Sequence, residues 1–430
     1  MIIEKQIYIC INSISQFICS LQNKIRIFVQ DLIVLPLKFI VGTVKHLKRL
    51  VSLILMTVLF VCCSEEKDLS TKKETFVPQI DTLNLTNSIV AEKIDTFFSN
   101  RFKNGRFNGT VLYGEKNHII YNKAFGYSNF ESKIPLTIDS KFQLASVSKT
   151  FTSYAIMLLK QRGQLSYQDS VRYFFPDFPY ENITIHQLLI HRSGLPEYMH
   201  FTDEYWLKNN PDSTITNKDV LDILIKIKPT ASFRPGVRYN YNNTNYCMLA
   251  LIIEKVSGMP YSVFMKKEIF EPLGLKDTEV YNKSIEPQNS HIVRGYIGRR
   301  RTANNSYQNG VVGDKGIYSS AIDMFKFNRA LFEGVFVNKK DLEEAYKLGH
   351  EELRDNDNYG HGWRINKRPD STKIVYHAGW WKGFRSYFIR DLASEKCIVV
   401  LTNRSNGGVL HLKELMELIG SLPESKDKNK

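Results

Sequence analysis

Cysteine is scarce in this chain and poorly placed for cross-linking. The 430 residues hold six cysteines, and four of them, Cys10, Cys19, Cys62 and Cys63, fall within the first 63 positions. The other two, Cys247 and Cys397, sit inside the apolar stretches "YCMLALIIEK" and "EKCIVVLTN" and are expected as buried thiols. A disulfide framework is therefore excluded, and no Cys/His spacing suits a metal. Internal repeats and low-complexity tracts are missing too, which excludes solenoid and array architectures. The net charge of +14 comes without a recognition helix or an aromatic-basic RNA motif, so no nucleic-acid partner is implied. Part of that charge is local: residues 1–50 carry seven Lys/Arg against two Asp/Glu, and "GYIGRRRT" at 295–302 is expected as one exposed basic loop.

What is present is an ordinary globular composition, 43% hydrophobic and 24% charged, on a chain long enough for one large catalytic domain with a leader and tails. The stretch "KHLKRLVSLILMTVLFVCCSEEKD" has a basic start, about a dozen apolar residues, two cysteines and an acidic run. It is similar to a bacterial lipoprotein signal, which implies acylation of Cys63, with Cys62 as the alternative. An uncleaved anchor helix is the competing reading, although the apolar segment is short for a membrane span. These features divide the chain into a leader (1–63), a polar tether (64–88), a catalytic domain (89–422) and a charged tail (423–430).

Within the domain, a helix is expected from Ile89 to Phe102, then a hairpin over "GTVLYGEKNHIIYNKAFGY" turning near Gly114 to Asn117. Three strands ("KIVYHAGW", "FRSYFIRD" and "KCIVVLTNR") and a closing helix end it. Strands at both ends with helices between them predict an α/β (α+β) fold: an antiparallel sheet built from both termini, flanked by helices, with an inserted helical subdomain.

The chemistry centres on "ASVSKTFTSYAIMLLKQRG" at 145–163. Ser-x-x-Lys occurs four times, from Ser64, Ser70, Ser146 and Ser425, but only Ser146 opens an amphipathic helical run, with Phe151, Ala155, Leu158 and Leu159 at helical spacing. Ser146 and Lys149 would share one helix face, where the helix dipole favours the alkoxide and disfavours the charged amine. Taken alone, the motif reads more simply as a Ser/Thr-rich helix start with a surface lysine. Tyr241 and Asn243 lie two apart on a polar loop leading into an apolar helix. A phenol near a lysine is expected to have a lowered pKa and to pass a proton, and the Asn amide can hold a substrate carbonyl. His377-Ala378-Gly379 ends a strand, with the backbone accessible at the glycine. The Trp380 N–H could join the Ser146 N–H as an oxyanion hole.

In order, Ser146-x-x-Lys149, Tyr241-x-Asn243 and His377-x-Gly379 resemble the three motifs of the serine β-lactamase and penicillin-binding-protein superfamily. The match is nearest its class C β-lactamase-related branch, which also holds DD-peptidases, D-amino-acid peptidases and esterases. "ITIHQLLIHRSGLPEY", "GDKGIYSSAIDMFKF", "YGHGW" and "VVLTNR" are similar to further family segments, so the resemblance covers about Ile89 to Leu422. It implies that Ser146 is the acylated nucleophile and that Lys149 and Tyr241 manage its proton, with the base left open. Asn243 would bind the acyl side-chain amide. His377 and Ala378 stand where many relatives carry Lys and Thr or Ser, so His377 could bind a substrate carboxylate only when protonated or as a neutral donor. Trp380 and Trp381 would wall the pocket.

The expectation is thus a lipid-anchored serine hydrolase of the bacterial cell envelope, facing the periplasm or exterior and needing no cofactor. It would act through an acyl-enzyme on D-amino-acid-containing, peptidoglycan-derived peptides, or alternatively on small esters. The reading from another class is a non-catalytic peptidoglycan-binding or sensor protein, against which the complete Ser/Lys/Tyr set argues.

Overall fold

The computed structural model describes residues 88–423, apart from 211–212, 283–292, 299–300, 351–357 and 406–409, together with Phe76 and residues 81–82. The leader, with Cys62 and Cys63, and the tail beyond residue 423 lie outside the described residues.

The large sheet has seven strands: β1 (Asp81–Thr82), β2 (Gly109–Glu115), β3 (His118–Phe125), β4 (Arg364–Lys367), β5 (Lys373–Trp381), β6 (Phe384–Asp391) and β7 (Lys396–Thr402). Their spatial order is β1-β3-β2-β7-β6-β5-β4. All pairs are antiparallel except β1 with β3, so the two ends of the chain meet at the β2–β7 ladder. The sheet is the expected one with two additions, the edge strands β1 and β4. The stretch expected as a tether supplies the parallel edge strand β1, and the Phe76 N–H donates to Pro272 O at 2.8 Å.

Strand periodicity explains why β7 reads as an unbroken apolar run. Ile398 and Val400 face one side, where they pack with Ile94 and Phe98 of α1 (Ile89–Lys103); Cys397, Val399 and Leu401 face the helical body on the other. Both faces are covered. Helix α1 starts at Ser88, whose Oγ accepts the Ala91 N–H, and carries Glu92 in its first turn and Arg101 and Lys103 in its last, signs that complement the helix dipole. Cys247 and Cys397 are free and buried.

The helical body between the sheet halves is built around α2 (Ser148–Gln161) and α3 (Asn243–Ser257), with α4 (Ala321–Glu333) against β2 and β7. Helix α2 is not amphipathic: every residue from Ser148 to Leu159 is buried. Its polar residues are bonded rather than solvated. Ser148 Oγ accepts the Ile317 N–H at 3.1 Å, and Thr152 Oγ1 donates to Gly313 O at 2.7 Å. The stretch "GYIGRRRT" also departs from its expected loop. Tyr296–Ile297 and Arg301–Thr302 form a short hairpin, with Tyr296 fully buried and its N–H bonded to Asn403 O at 2.8 Å.

Candidate active site

Ser146 sits in a 3-10 turn, Ala145–Val147, that runs directly into α2. The turn begins with a strained residue, since Ala145 has a φ of 48°, a left-handed conformation that L side chains rarely adopt. Strand β5 passes hard against it. A Cβ at Gly379 would lie 2.3 Å from Leu144 O and 3.0 Å from the Ala145 Cβ, so only glycine fits there. Gly379 is therefore required by close packing on the turn that carries Ser146, as well as leaving its own backbone open.

Ser146, Tyr241, Asn243, His377, Gly379 and Trp380 line one cavity, as do Asp314, Lys315, Arg364 and Trp381. Lys149 lies beneath it, fully buried, with all three ammonium protons directed at acceptors. Its Nζ is 3.2 Å from Ser146 Oγ, 2.8 Å from Asn243 Oδ1 and 2.8 Å from Asp314 O. Burial pushes the amine down to about 8; the Asp314 and Glu197 carboxylates oppose that shift and the Arg364 guanidinium adds to it. An amine so placed can take the proton of Ser146 in its neutral form, which predominates above about pH 8.

Tyr241 goes the other way. Burial raises its phenol above the ordinary range, although a hydrogen bond with Ser146 and the nearby Arg364 pull it back. The expectation of a lowered phenol pKa is thus corrected: desolvation of the phenolate outweighs the neighbouring cations. Lys149 lies 4.9 Å and Arg364 5.3 Å from the Tyr241 ring centre.

Asn243 opens α3, capped by Asn242. Its amide orientation follows from its partners: Oδ1 accepts from Lys149, and Nδ2 donates to Glu197 Oε2 at 3.2 Å. The same Glu197 oxygen accepts the Asn243 backbone N–H at 2.8 Å.

Of the two states open to His377, protonated or neutral, the structure favours the neutral one. Its imidazole is buried, and desolvation, with Arg364 and Lys149 nearby, holds its pKa well below the ordinary histidine value. The Ala378 carbonyl 2.9 Å from Nδ1 can only accept, which assigns the proton to Nδ1. Nε2 then accepts from the Tyr359 hydroxyl at 2.9 Å. Both nitrogens of a neutral ring are occupied. Arg364, on the neighbouring strand β4, is one of three cations that line the cavity, with Lys315 and Arg385. Trp380 is 60% exposed and forms an apolar rim, while Trp381 is fixed by its Nε1–H to Asn309 Oδ1 at 2.8 Å.

Sequence reasoning did not assign roles to Glu197, Asp314, Lys315, Tyr359 or Arg364. Four of them lie in stretches already noted as family-like, "SGLPEY", "GDKG" and "YGHGW", and Arg364 immediately follows the last. The fourth ordered stretch, "VVLTNR", is β7 and its exit.

Comparison with known proteins agrees with this geometry. Residues 94–419 match the Beta-lactamase family. Penicillin-binding protein 4* of Bacillus subtilis is 37% identical over 329 residues, 72% of this chain and 71% of that protein. Among solved structures, a penicillin binding protein from Bacillus halodurans superimposes with a TM-score of 0.65 at 27% identity, covering 72% of this chain and 95% of that one. D-amino acid amidase from Ochrobactrum anthropi gives a TM-score of 0.61 at 25% identity, covering 74% and 91%. With the motifs, the fold and these relatives in agreement, the chain belongs to the β-lactamase family, within the serine β-lactamase and penicillin-binding-protein superfamily of serine hydrolases.

Proposed function

We propose that the protein cleaves an amide bond in D-amino-acid-containing cell-wall peptides through an acyl-enzyme on Ser146. The observation that carries this is the buried Lys149 amine, pushed down to about 8 and 3.2 Å from Ser146 Oγ. In the neutral form Lys149 accepts the Ser146 proton as Oγ bonds to the substrate carbonyl carbon. The amide N–H groups of Ser146 and Trp380 receive the developing oxyanion. Collapse breaks the C–N bond, and the leaving amine takes a proton from Lys149 directly or through the Tyr241 hydroxyl. Water then attacks the ester carbon, gives its proton to the same base, and releases the acid with Ser146 restored. Asn243 orients the acyl amide, and Arg364 supplies the positive charge for a substrate carboxylate that neutral His377 and Ala378 cannot. The names of the relatives, a penicillin-binding protein and a D-amino acid amidase, support this substrate class.

A small-ester esterase is the second reading, favoured by the uncharged His377-Ala378 pair and the exposed Trp380 rim. The leader supports attachment to the envelope membrane through acylated Cys63. The deciding experiment is labelling with a fluorophosphonate and a fluorescent penicillin, followed by turnover on muropeptides and short-chain esters. Wild type should label once, on Ser146, and Ser146→Ala should not. Equal labelling of Ser146→Ala overturns the assignment, and turnover of esters without muropeptides moves the esterase reading ahead.

A further inference from the structure

Tyr241 is gripped from three sides by a single residue, His191, in the stretch "LLIHRSGLPEY". The backbone carbonyl of His191 accepts the N–H of Asn240 at 2.9 Å, on one side of Tyr241. Its imidazole Nδ1 accepts the N–H of Asn242 at 3.1 Å, on the other side. Between these two bonds the imidazole lies against the Tyr241 ring, centroids 4.4 Å apart at 37°. The ring also sits 4.6 Å from that of Tyr359, the hydroxyl donor to His377.

His191 is built for this position. It is fully buried, and its φ of 57° is left-handed, a conformation a non-glycine residue holds only where its surroundings enforce it. That turn points carbonyl and side chain toward the same loop. Asn245 Nδ2 lies 3.0 Å from the same Nδ1, so two donors fix the proton on Nε2, which has no hydrogen-bond partner and faces aromatic rings. The neighbouring residues complete the grip: Ser193 Oγ donates to Asn245 Oδ1 at 2.5 Å, and Asn242 Nδ2 donates to Leu195 O at 2.5 Å.

We propose that His191 is a positioning residue for proton transfer at Ser146, holding the Tyr241 hydroxyl in register through its Nδ1 acceptor and its ring face. The inference rests on the acyl-enzyme reading of the site and extends it to a residue that touches neither substrate nor nucleophile. Misplacement of a reacting group by about 1 Å can cost ~10²-fold, and that is the loss expected for the rate of Ser146 acylation in His191→Ala. The concentration dependence of labelling should move by less than about 3-fold, because the pocket itself is unchanged.

The test is acylation by a fluorophosphonate, followed in wild type, His191→Ala, His191→Asn, His191→Gln and Tyr241→Phe, with the His191→Ala/Tyr241→Phe double variant. Asn can present its carbonyl near the position of Nδ1, whereas Gln reaches toward Nε2, where no donor waits. The expected order is therefore wild type, Asn, then Gln and Ala, with His191→Ala costing little once Tyr241 is already Phe. Additive losses in the double variant, or equal rates for Asn and Gln, overturn the proposal. The Asn/Gln order decides it even if His191→Ala fails to fold. A wild type that does not label overturns the acyl-enzyme reading, and this inference with it; labelling with additive losses overturns this inference alone.

Discussion

The two faces of the large sheet are buried in different ways. The outer face, under α1 and α5 (Leu412–Leu418), is closed by Ile94, Phe98, Phe107, Ile398, Val400, Leu415 and Met416, an almost wholly apolar layer. The inner face meets a body in which Lys149, Thr152, His191, Ser193, Asn242, Asn245 and Asp314 are buried among the apolar side chains. Outer burial is non-directional and scales with area, at roughly 25 cal/mol per Å². Each inner polar group instead needs a correctly placed partner, and one left unmatched costs about 1–3 kcal/mol. Asp314 Oδ1 and His191 Nε2 are buried without such a partner. The outer layer holds the sheet; the inner layer spends stability on holding a reactive amine, a serine and a phenol together.

Substitutions on the two sides should separate these roles. The largest effect belongs to the inner layer: Lys149→Ala should lower acylation of Ser146 by ~10³-fold or more, since groups acting as one unit fail together. Stopped-time labelling with a fluorophosphonate measures it, and a loss below tenfold would remove Lys149 from the chemistry. The outer layer should behave inversely. Phe98 is fully buried and touches Phe97 and Phe107 with ring centroids 5.0 and 4.8 Å away. Phe98→Ala should cost ~3–5 kcal/mol of stability, read by denaturant unfolding, while the folded fraction labels at the wild-type rate. A change in that rate would show that the two faces are coupled.

The same division explains what could be read from the sequence. Strands β5, β6 and β7, the hairpin β2–β3 and helix α1 were legible because period-2 and period-3.6 patterns are local. The apolar positions of α2 were legible too, but its polar side was not, because Ser148, Thr152 and Ser153 find partners far along the chain. Lys149 bonds a carbonyl 165 positions away, and no periodicity records such a contact. Strand β1 is two residues long and carries no pattern at all. Ser146, Lys149, Tyr241 and Asn243, which the structure brings together, were legible because their spacing within each motif is short. Glu197, Asp314 and Arg364 were not assigned, since each acts on the site only through the fold. The sequence leaves the charge state of His377 open for the same reason: burial and Arg364 decide it, and neither is local.

The smallest expected effect is an absence, and it concerns pH. A histidine free to charge would titrate near ~6.5, and anionic substrates would then lose affinity as pH rises through that value while neutral ones did not. Here burial, Arg364 and Lys149 hold the His377 pKa well below the ordinary histidine value, so the ring stays neutral as pH rises through that value. Lys149, by contrast, loses its proton around 8. Below that pH it is charged and cannot accept from Ser146, so kcat/KM should climb as pH rises through about 8, for anionic and neutral substrates alike. Arg364 lowers the Lys149 pKa, so Arg364→Ala should carry the rising limb to higher pH when measured with a neutral ester. His377→Gln should leave the limb in place. Profiles for paired esters with and without a carboxylate, from pH 5.5 to 10, decide between the two residues. Curves that part company near 6.5 would return the charge to His377; curves that rise together assign it to Lys149.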